Sequence, residues 1–588
     1  MKTPILSLTA LAVLLVAPIS SAAPYASAVT VTGDSVSFVL NESADTVKVI
    51  FNDGASTLVL GTSPEPAGLK TFSKAGFSSF RIEVEKNAGP GWKSGVLQPI
   101  TQDSNDLVKF ANGRGIAVNR FPATGPLFGR IYASLGTPGT AAPAVTPPVT
   151  PRADMAEGIY VLNPDFSATA LGSGPLTGGL TFDANTSTAA ADLLTINGTD
   201  SPYRLTVGEN GDLFIADFSK TRGSVYKTDG NVANGKNILG GPPGSIFPIA
   251  GATGSQGLHG SIAAVVTEGT ETDGNLKVWV VDQDLQSDPA ATGQSMRNSI
   301  WLWEMNNEPL PMANAPTMVA SAAGIQGNSI GIGFAGQTCD LCRSPDGTFF
   351  KLQRRSSGLE SGIFALTPFG SPTTSHPEVT NTGSLAAFRA YSLDNTVVDP
   401  FLESVACDVS NDNWLAVLRR SDNAIHLVKT QDGKIDYATH ILLYTSPTTI
   451  VARDIAFDSA GNLYTISSGQ ALLRVYAPGG HTRATTYSTG AFDISELSPT
   501  TPAPLLELKP TITSTSRVGN DLVMPFTSRL GIPGTIVLQK TNDLELGPWT
   551  TLTTAATFTI TGSPPNYTAK AIGAFTADPK LFFRVKRN

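Results

Sequence analysis

Cysteine and histidine are scarce in this chain of 588 residues, which contains only 3 cysteines and 5 histidines. A disulfide-stapled scaffold is excluded, because three cysteines allow at most one intramolecular bridge and leave one thiol over. The histidines lack HxH or HExxH spacing. The sequence therefore gives no support to the common zinc-hydrolase motifs.

Positive charge and long apolar runs are also scarce. Lys and Arg number 40 against 48 Asp and Glu, for a formal net charge of −8. Nucleic acid is therefore not expected as a partner, because the chain has no basic footprint. No stretch beyond the first 22 residues reaches the roughly 18 apolar residues of a spanning segment, so we expect no transmembrane helix.

The first 22 residues are typical of a secretory signal peptide. Lys2 precedes an apolar run from Ile5 to Val16, and small residues occupy 20–23. This pattern predicts cleavage near Ala22 or Ala23. We therefore expect an exported protein that is extracellular or lies at the cell surface.

Glycine and proline, in contrast, are abundant, at 57 and 41 residues. Between their turns, apolar residues alternate with polar ones, as in Val36, Phe38 and Leu40. This period of two predicts a small β-sandwich over residues 25–104. The stretch "VSFVLNESADTVKVIFNDGASTLVLG" resembles the Ig-like domain of flagellar hook-capping proteins and of many bacterial surface proteins, which implies an Ig-like fold.

An irregular repeat of six units covers residues 105–496. Five units have a clear first strand: "RGIAVN" (114–119), "YRLTVG" (203–208), "CDLCRS" (339–344), "CDVSND" (407–412) and "RDIAFD" (453–458). The sixth is centred on "LKVWVVDQD" (276–284). Small antiparallel sheets cannot each bury both faces alone, so the repeat predicts a six-bladed β-propeller in which neighbouring blades cover one another.

Two of these units carry a family resemblance. "DIAFDSAGNLYTISSGQALLRVYAPGG" and "PYRLTVGENGDLFIAD" resemble NHL-type propeller blades. The resemblance implies the fold and leaves the activity open, because propellers host unrelated functions.

Proline-rich segments and a last β region complete the predicted organisation. A Pro/Ala-rich insertion at 136–152 interrupts the first blade, and a linker at 497–510 precedes a C-terminal β domain at 511–588. We expect that domain to serve attachment or sorting, and its strand edges to allow self-assembly. The predicted fold class is thus all-β, a propeller flanked by a sandwich and a small β domain.

Charged residues recur at one end of the predicted inner strands. Asp340, Asp408 and Asp454 open their strands at positions that align in sequence, and Arg204 is the equivalent in the second unit. Second strands end at the same rim and add Asp217, Asp282, Arg354 and Arg420. These side chains either tie down backbone N–H groups of adjoining blades or form a charged mouth for a polar ligand or for Ca²⁺.

A second candidate for Ca²⁺ is the acidic loop "DQDLQSD", with Asp282, Asp284 and Asp288. It lacks the turn Gly and the closing Glu of an EF-hand loop, so a solvated loop is the alternative that we favour.

The CxxC sequence at Cys339 and Cys342 does not predict redox or zinc chemistry. In a strand the two Cα atoms lie about 10 Å apart, beyond the roughly 7 Å limit of a disulfide. No second CxxC and no following His occur. We expect buried free thiols, with a bridge between Cys339 and Cys407 on neighbouring blades as the alternative.

These features favour an exported, non-catalytic binding or scaffold protein. Its ligand, a glycan, a protein or a small polar molecule, would bind at the charged rim of the propeller. One alternative is a lactonase- or lyase-like propeller hydrolase that uses a channel metal; such propellers generally hold their metal with Glu, Asp and Asn, and the mixture of Asp and Arg here weakens that alternative. Another is a structural subunit of an extracellular assembly.

Overall fold

A computed structural model describes the chain over the following residues: 23–61, 63–87, 100–101, 103, 105–110, 113–135, 158–167, 169, 179–180, 202–218, 225–239, 246–248, 256–258, 262–282, 299–312, 316–320, 337–354, 362–366, 388–390, 404–419, 424–431, 434–444, 452–467, 472–477, 481–497, 511–512, 516–518, 521–527, 536–541, 550–551, 558–563, 566–571 and 582–587. The chain divides into two units, Met1–Gly479 with Ala484–Asp493, and Gly480–Arg483 with Ile494–Asn588. Nearly all regular structure is β, as the sequence predicts.

Helical structure in the described ranges consists of three short 3₁₀ turns, at Asn52–Gly54, Asp106–Val108 and Pro122–Leu127. None of the helices in this part of the chain is long and apolar enough to span a membrane.

The first unit begins with a β-sandwich. Its strands are β1 (Ala26–Thr32), β2 (Ser35–Leu40), β3 (Thr46–Phe51), β4 (Ser56–Leu60), β5 (Gly68–Ser73) and β6 (Phe80–Asn87). One sheet has the order β1-β2-β5, and β6, β3 and β4 are neighbours in the other. The alternating apolar residues of both sheets share one buried core, which includes Phe38 and Val49. The Ig-like class of this sandwich stays a prediction.

Six antiparallel sheets of three or four strands, the blades, follow within the described ranges. Blade 1 contains β7 (Gly113–Val118), β8 (Ile131–Leu135), β9 (Gly158–Leu162) and β10 (Gly179–Leu180); blade 2 contains β11 (Leu205–Val207), β12 (Leu213–Ala216), β13 (Val225–Thr228) and β14 (Lys236–Asn237). After the hairpin of β15 (Ile246–Pro248) and β16 (Gln256–Leu258), blade 3 contains β17 (Ile262–Glu268), β18 (Lys277–Asp282), β19 (Ser299–Glu304) and β20 (Thr317–Ala320).

The other three blades have the same strand order. Blade 4 contains β21 (Gln337–Arg343), β22 (Phe349–Arg354), β23 (Gly362–Leu366) and β24 (Phe388–Ala390); blade 5 contains β25 (Ser404–Val409), β26 (Trp414–Arg419), β27 (Ala424–Gln431) and β28 (Lys434–Tyr444); blade 6 contains β29 (Ala452–Phe457), β30 (Leu463–Ser467) and β31 (Leu472–Tyr476).

The first strands of the blades form a closed ring. β7 contacts β11, and the contacts continue through β17, β21 and β25 to β29, which contacts β7 again. The fold is therefore the predicted all-β propeller, with the first strand of each blade innermost. Trp301 and Trp303 are buried in a core shared by blades 2 and 3, so they serve packing between blades. The NHL type of the blades stays a prediction.

Two chain segments border the last blade and the sandwich. The N–H of Ile100 donates to the carbonyl oxygen of Val475 at 2.8 Å, so the segment before blade 1 lies along β31. β32 (His481–Tyr487) and β33 (Phe492–Leu497) continue the sandwich sheet next to β6 instead of a blade. The N–H of Ser488 accordingly donates to the carbonyl oxygen of Phe80 at 2.9 Å.

The second unit forms two sheets of its own. Its strands are β34 (Thr511–Ile512), β35 (Ser516–Val518), β36 (Asp521–Thr527), β37 (Ile536–Thr541), β38 (Thr550–Thr551), β39 (Phe558–Ser563), β40 (Asn566–Ala571) and β41 (Phe582–Arg587). One sheet has the order β34-β36-β40-β39 and the other β38-β37-β41, which agrees with the predicted C-terminal β region. Residues 498–510 of the predicted linker and residues 136–152 of the predicted insertion lie outside the described residues.

Blade 5 contains a pair of histidines, of which one is buried and the other half-buried. His426 on β27 is 2% exposed, and its Nδ1 lies 2.9 Å from Nε2 of His440 on β28. One ring must donate and the other accept, so the contact needs at least one neutral ring. Burial lowers the pKa of His440, and the charges of His426 and Arg419 lower it further.

We expect this pair to make the protein less stable in mild acid. An unfolded histidine takes up a proton near pH 6.5, whereas His440 in the native protein takes it up only at lower pH. Stability from this group is therefore present above pH 6.5 and falls as the pH falls below it. Melting temperatures between pH 7.5 and 5.5 should drop less steeply for His440→Gln than for the wild type, and His481→Gln should follow the wild type. Parallel curves for wild type and His440→Gln would contradict the prediction.

Candidate active site in the propeller channel

The inner strands surround a cavity of about 370 Å³. Residues of all six inner strands line it, for example Ile116 on β7, Val265 on β17 and Ala456 on β29. Its acidic lining residues are Glu209, Asp340, Asp408 and Asp454, and its basic ones are Arg120, Arg204 and Arg343. The channel is therefore a polar cavity of small-molecule size.

Arg204 lies between two carboxylates at this cavity. It is 4% exposed, and its Nη1 donates to Oδ1 of Asp454. The same nitrogen lies 3.9 Å from Oδ2 of Asp340, and Nη2 donates to the carbonyl oxygen of Val405 at 2.5 Å. Three of the residues that the sequence groups together, from blades 2, 4 and 6, thus meet in one buried cluster.

The two carboxylates of this cluster also join neighbouring blades. Asp340 accepts the N–H of Cys407 in blade 5 at 2.8 Å and that of Leu341 at 2.9 Å. Asp454 accepts the N–H of Ile116 in blade 1 at 2.8 Å. These bonds fit the interpretation that the aspartates tie down backbone N–H groups of the adjoining blade.

Asp408 makes the same kind of bond but from a different position. It accepts the N–H of Phe457 in blade 6 at 2.7 Å. The turns after the inner strands are closed by the N–H groups of Ser344, Ser410 and Asp458. Asp340 and Asp454 precede this turn residue by four positions, whereas Asp408 precedes it by two. The alignment that made Asp408 equivalent to Asp340 is therefore wrong, and the equivalent residue in blade 5 is Ala406.

Other predicted site residues lie apart from the cluster. Asp217 is buried but is not among the described residues that line the cavity, and its carbonyl oxygen accepts the N–H of Ile262 at 3.0 Å. Asp282 and Arg354 pair with Ile262 and Gln337 at the beginnings of inner strands, and their side chains lie outside the described residues. Arg420, Asp284 and Asp288 lie outside the described residues altogether.

Sequence reasoning missed three cavity residues, Arg120, Glu209 and Arg343. Arg120 donates to the carbonyl oxygen of Val409 at 2.9 Å, and the guanidinium of Arg343 lies 5.7 Å from the ring centre of Phe349. All three lie at or just after the end of an inner strand, whereas the prediction considered strand beginnings. The sequence signal that could have identified these three residues is the turn that follows each inner strand.

Burial changes the acidity of both carboxyl groups in the cluster. It raises the pKa of Asp340 to about 6, against the opposing charge of Arg204. It also raises the pKa of Asp454 to about 8; Arg204 opposes this shift and the charge of Asp340 adds to it. One guanidinium cannot neutralise two buried carboxylates, so the cluster holds a proton in the neutral pH range.

The cluster does not fit a calcium ion. The charge of Arg204 faces the oxygens that would ligate the cation, and backbone N–H groups take further acceptor positions. In the described part of the chain, no group of three or more His, Cys, Asp and Glu residues has the arrangement of a metal site. The calcium prediction for the loop 282–288 stays a prediction.

The cysteines of blades 4 and 5 are free thiols. Cys342 and Cys407 are both buried and unbridged, so the Cys339–Cys407 disulfide is wrong and the expectation of buried free thiols holds for these two. The physical reason is the shifted register of blade 5, since a shift of two residues moves a side chain about 6.6 Å along a strand. Burial raises the pKa of both thiols.

Comparisons with known proteins bear on the fold. No family model matches the chain, and no curated protein matches it. Solved structures that match include PQQ-bound aldose sugar dehydrogenase from Streptomyces coelicolor, at 9% identity over 68% of this chain and 100% of that chain with a TM-score of 0.34. A provisionally assigned gluconolactonase matches at 11% over 66% and 99%, with a TM-score of 0.33. Regucalcin, a calcium-binding protein from Agrobacterium tumefaciens, matches at 13% over 66% and 94%, with a TM-score of 0.30.

The expectation of a non-catalytic binding or scaffold protein is wrong against these comparisons. Two of the three matched proteins carry the names of enzymes, a sugar dehydrogenase and a gluconolactonase. At such low identities the similarity concerns the fold, and the chemistry has to come from the cavity residues themselves.

Removing the carboxylate of Asp408 should destabilise the propeller. Asp408→Ala leaves the N–H groups of Phe457 and Val409 without their acceptor, at a cost of about 1–3 kcal/mol for each buried group. Asp412→Ala, at an exposed side chain in the same blade, should cost less than about 1 kcal/mol. Thermal or urea unfolding measures both variants, and equal losses would contradict the role of Asp408.

The two buried thiols should react only after unfolding. In a Cys339→Ser background, a dithiobis reagent should label neither Cys342 nor Cys407 in the native protein, because both are buried. Both should be labelled in guanidinium without reductant. Labelling in the native protein would contradict their burial, and failure to label in guanidinium would reveal a disulfide.

Proposed function

We propose that this protein is an exported propeller enzyme that hydrolyses a small polar ester, of which a lactone is the favoured type, in the channel cavity. The observation that carries the proposal is the cluster of Asp340, Arg204 and Asp454 at the cavity. It places two buried carboxyl groups, whose pKa values burial raises, beside a fixed positive charge.

The carboxyl groups are suited to acid–base catalysis. A catalytic acid or base works best when its pKa lies near the working pH, and burial brings Asp454 to about 8. Each carboxylate oxygen has two lone pairs. Oδ1 of Asp454 accepts from Ile455 and Arg204, whereas Oδ2 accepts only the N–H of Ile116 among the described bonds and has acceptor capacity left for a water molecule. In this role one carboxylate accepts a proton from the attacking water.

The arginines are suited to binding the substrate and its developing charge. Ester hydrolysis places negative charge on the carbonyl oxygen, and a fixed cation in a low-dielectric cavity stabilises that charge. Arg204 lies beside the carboxyl groups, while Arg120 and Arg343 lie at the end of the inner strands. These two can orient the carboxylate that forms when the ester opens. A volume of about 370 Å³ suits a substrate of monosaccharide size.

The place of action and the partners of the enzyme are part of the proposal. The apolar run and small residues of 1–22 support export, and carbohydrate-derived lactones are polar molecules of suitable size for the cavity. The channel chemistry proposed here needs no metal, because Arg204 already supplies the positive charge beside the carboxyl groups. Calcium at the loop 282–288 is a separate, structural proposal that calcium-dependent melting tests.

Asp454→Asn should lower kcat/KM by about 100-fold or more, because the amide cannot exchange a proton. The purified protein is assayed against a panel of aldonolactones and aryl esters between pH 5 and 9. Asp340→Asn should move the pH optimum, because the charge of Asp340 raises the pKa of Asp454. Activity should survive chelation of metal ions.

The matched control is Asp217→Asn, which changes a buried aspartate outside the described cavity lining. It should keep the activity and the pH profile of the wild type. Absence of turnover on the whole panel, or an equal loss for Asp217→Asn and Asp454→Asn, would contradict the proposal. Loss of activity on chelation would favour the metal-dependent alternative.

A further inference from the structure

Ala23 is held in a buried polar site against blade 6. It is 1% exposed, and its N–H donates to Oδ1 of Asn462 at 2.8 Å. Nδ2 of Asn462 in turn donates to the carbonyl oxygen of Ala23 at 3.1 Å. One side-chain amide thus binds both polar backbone atoms of a residue that lies 439 positions away in the sequence.

The same amide binds a buried carboxylate. Nδ2 of Asn462 donates to Oδ2 of Asp458 at 2.7 Å, and Asp458 is 1% exposed. Its other described partners are the N–H groups of Ala460 and Asn462, each at 2.9 Å, and the hydroxyl of Tyr464 at 3.2 Å. All of these partners are neutral, so a buried negative charge stands without a described cation, which is a costly arrangement.

The surrounding titratable groups add no positive charge in the described residues. They are Tyr25, Tyr464 and Glu42: burial, and then the charge of Asp458, raise the pKa of both tyrosines, and the charge of Glu42 also raises the pKa of Tyr464. The ring of Tyr25 packs against Phe128 and Phe492. Burial raises the pKa of Asp458 itself to about 6. The site is therefore acidic, enclosed and one amide away from the nitrogen of Ala23.

We propose that this site receives the α-ammonium group that is created when the chain is cut between Ala22 and Ala23. The residues Ser20 to Ala22 provide the small side chains that a signal peptidase requires. Hydrolysis breaks the C–N bond between the two alanines; water supplies OH to the carbonyl carbon of Ala22 and H to the nitrogen of Ala23. At neutral pH this new amine takes up a further proton.

The cut changes the electrostatics of a site that is already formed. An amide N–H is a single neutral donor, whereas an ammonium group carries three donors and a full positive charge. One donor keeps Oδ1 of Asn462, and the charge lies one side-chain amide away from the carboxylate of Asp458. Cleavage thus supplies a positive counter-ion for Asp458 and binds the amino terminus of the mature chain to the turn between β29 and β30 of blade 6.

The effect has a defined pH dependence. A carboxylate neighbour raises the pKa of the amine above its unfolded value of about 8. The stabilisation is therefore complete from about pH 8 down to the pKa of Asp458, about 6, below which the carboxylate takes up a proton. It is also lost as the pH rises through the raised pKa of the amine in the folded state.

The test compares two versions of residues 23–588, one that begins at Ala23 and one with Gly-Ser added before it. The version that begins at Ala23 should melt about 2–4 °C higher at pH 7, and the difference should disappear above pH 10. Asp458→Asn in both versions should abolish the difference, while Asp412→Asn, at an exposed side chain, should preserve it. Equal melting at all pH values, or a difference that survives Asp458→Asn, would overturn the proposal.

Two further readouts do not depend on melting. Mass spectrometry of the exported protein should find Ala23 as its first residue, and a different first residue would overturn the proposal. The α-amine of the version that begins at Ala23 should resist acylation at pH 7 in the native state and react after unfolding. Rapid acylation in the native state would show that the amine is not held in the site.

Discussion

The propeller depends on carboxylates that accept backbone N–H groups from the next blade. Asp340 joins blade 4 to blade 5, Asp408 joins blade 5 to blade 6, and Asp454 joins blade 6 to blade 1. The bond between Asp454 and Ile116 joins the last blade to the first, and so it closes the ring between residues 338 positions apart in the sequence. Apolar packing between blades is strong but has little directional preference, whereas these charge-assisted bonds fix how each inner strand lies against its neighbour.

This use of aspartate brings charge into the channel, and Arg204 follows from it. A carboxylate that reaches the next blade is buried, and two of them near each other repel. Arg204 lies close to both Asp340 and Asp454 and bonds to the backbone of blade 5 as well. Asp340, Asp454 and Arg204 therefore both connect blades and contribute charge to the cavity. The side chains that connect the blades are thus the same ones that we propose for catalysis.

Local pattern in the sequence was enough to predict the sheets, because strands with one buried face alternate with a period of two and turns carry Gly, Asn and Asp. It was not enough to predict register. "CDL" and "CDV" look alike, yet Asp408 lies two residues closer to its turn than Asp340 does. A shift of two keeps the same face of the strand, so no change in apolar pattern marks it. The same shift of two residues in blade 5 explains why the predicted Cys339–Cys407 bridge is wrong.

Contacts across the chain were the other property that sequence could not provide. Asn462 belongs to an ordinary turn sequence, "DSAGN", and nothing local indicates that its amide binds Ala23. The buried carboxylates of Asp454 and Asp458 also differ in a way that the local sequence does not indicate. Asp454 has an arginine from four blades away in the chain, while Asp458 has neutral partners and shares the amide of Asn462 with the backbone nitrogen of Ala23. Burying an uncompensated charge is costly, so a cation near Asp458 stabilises the fold. In the proposed mature chain the new amino terminus at Ala23 is that cation.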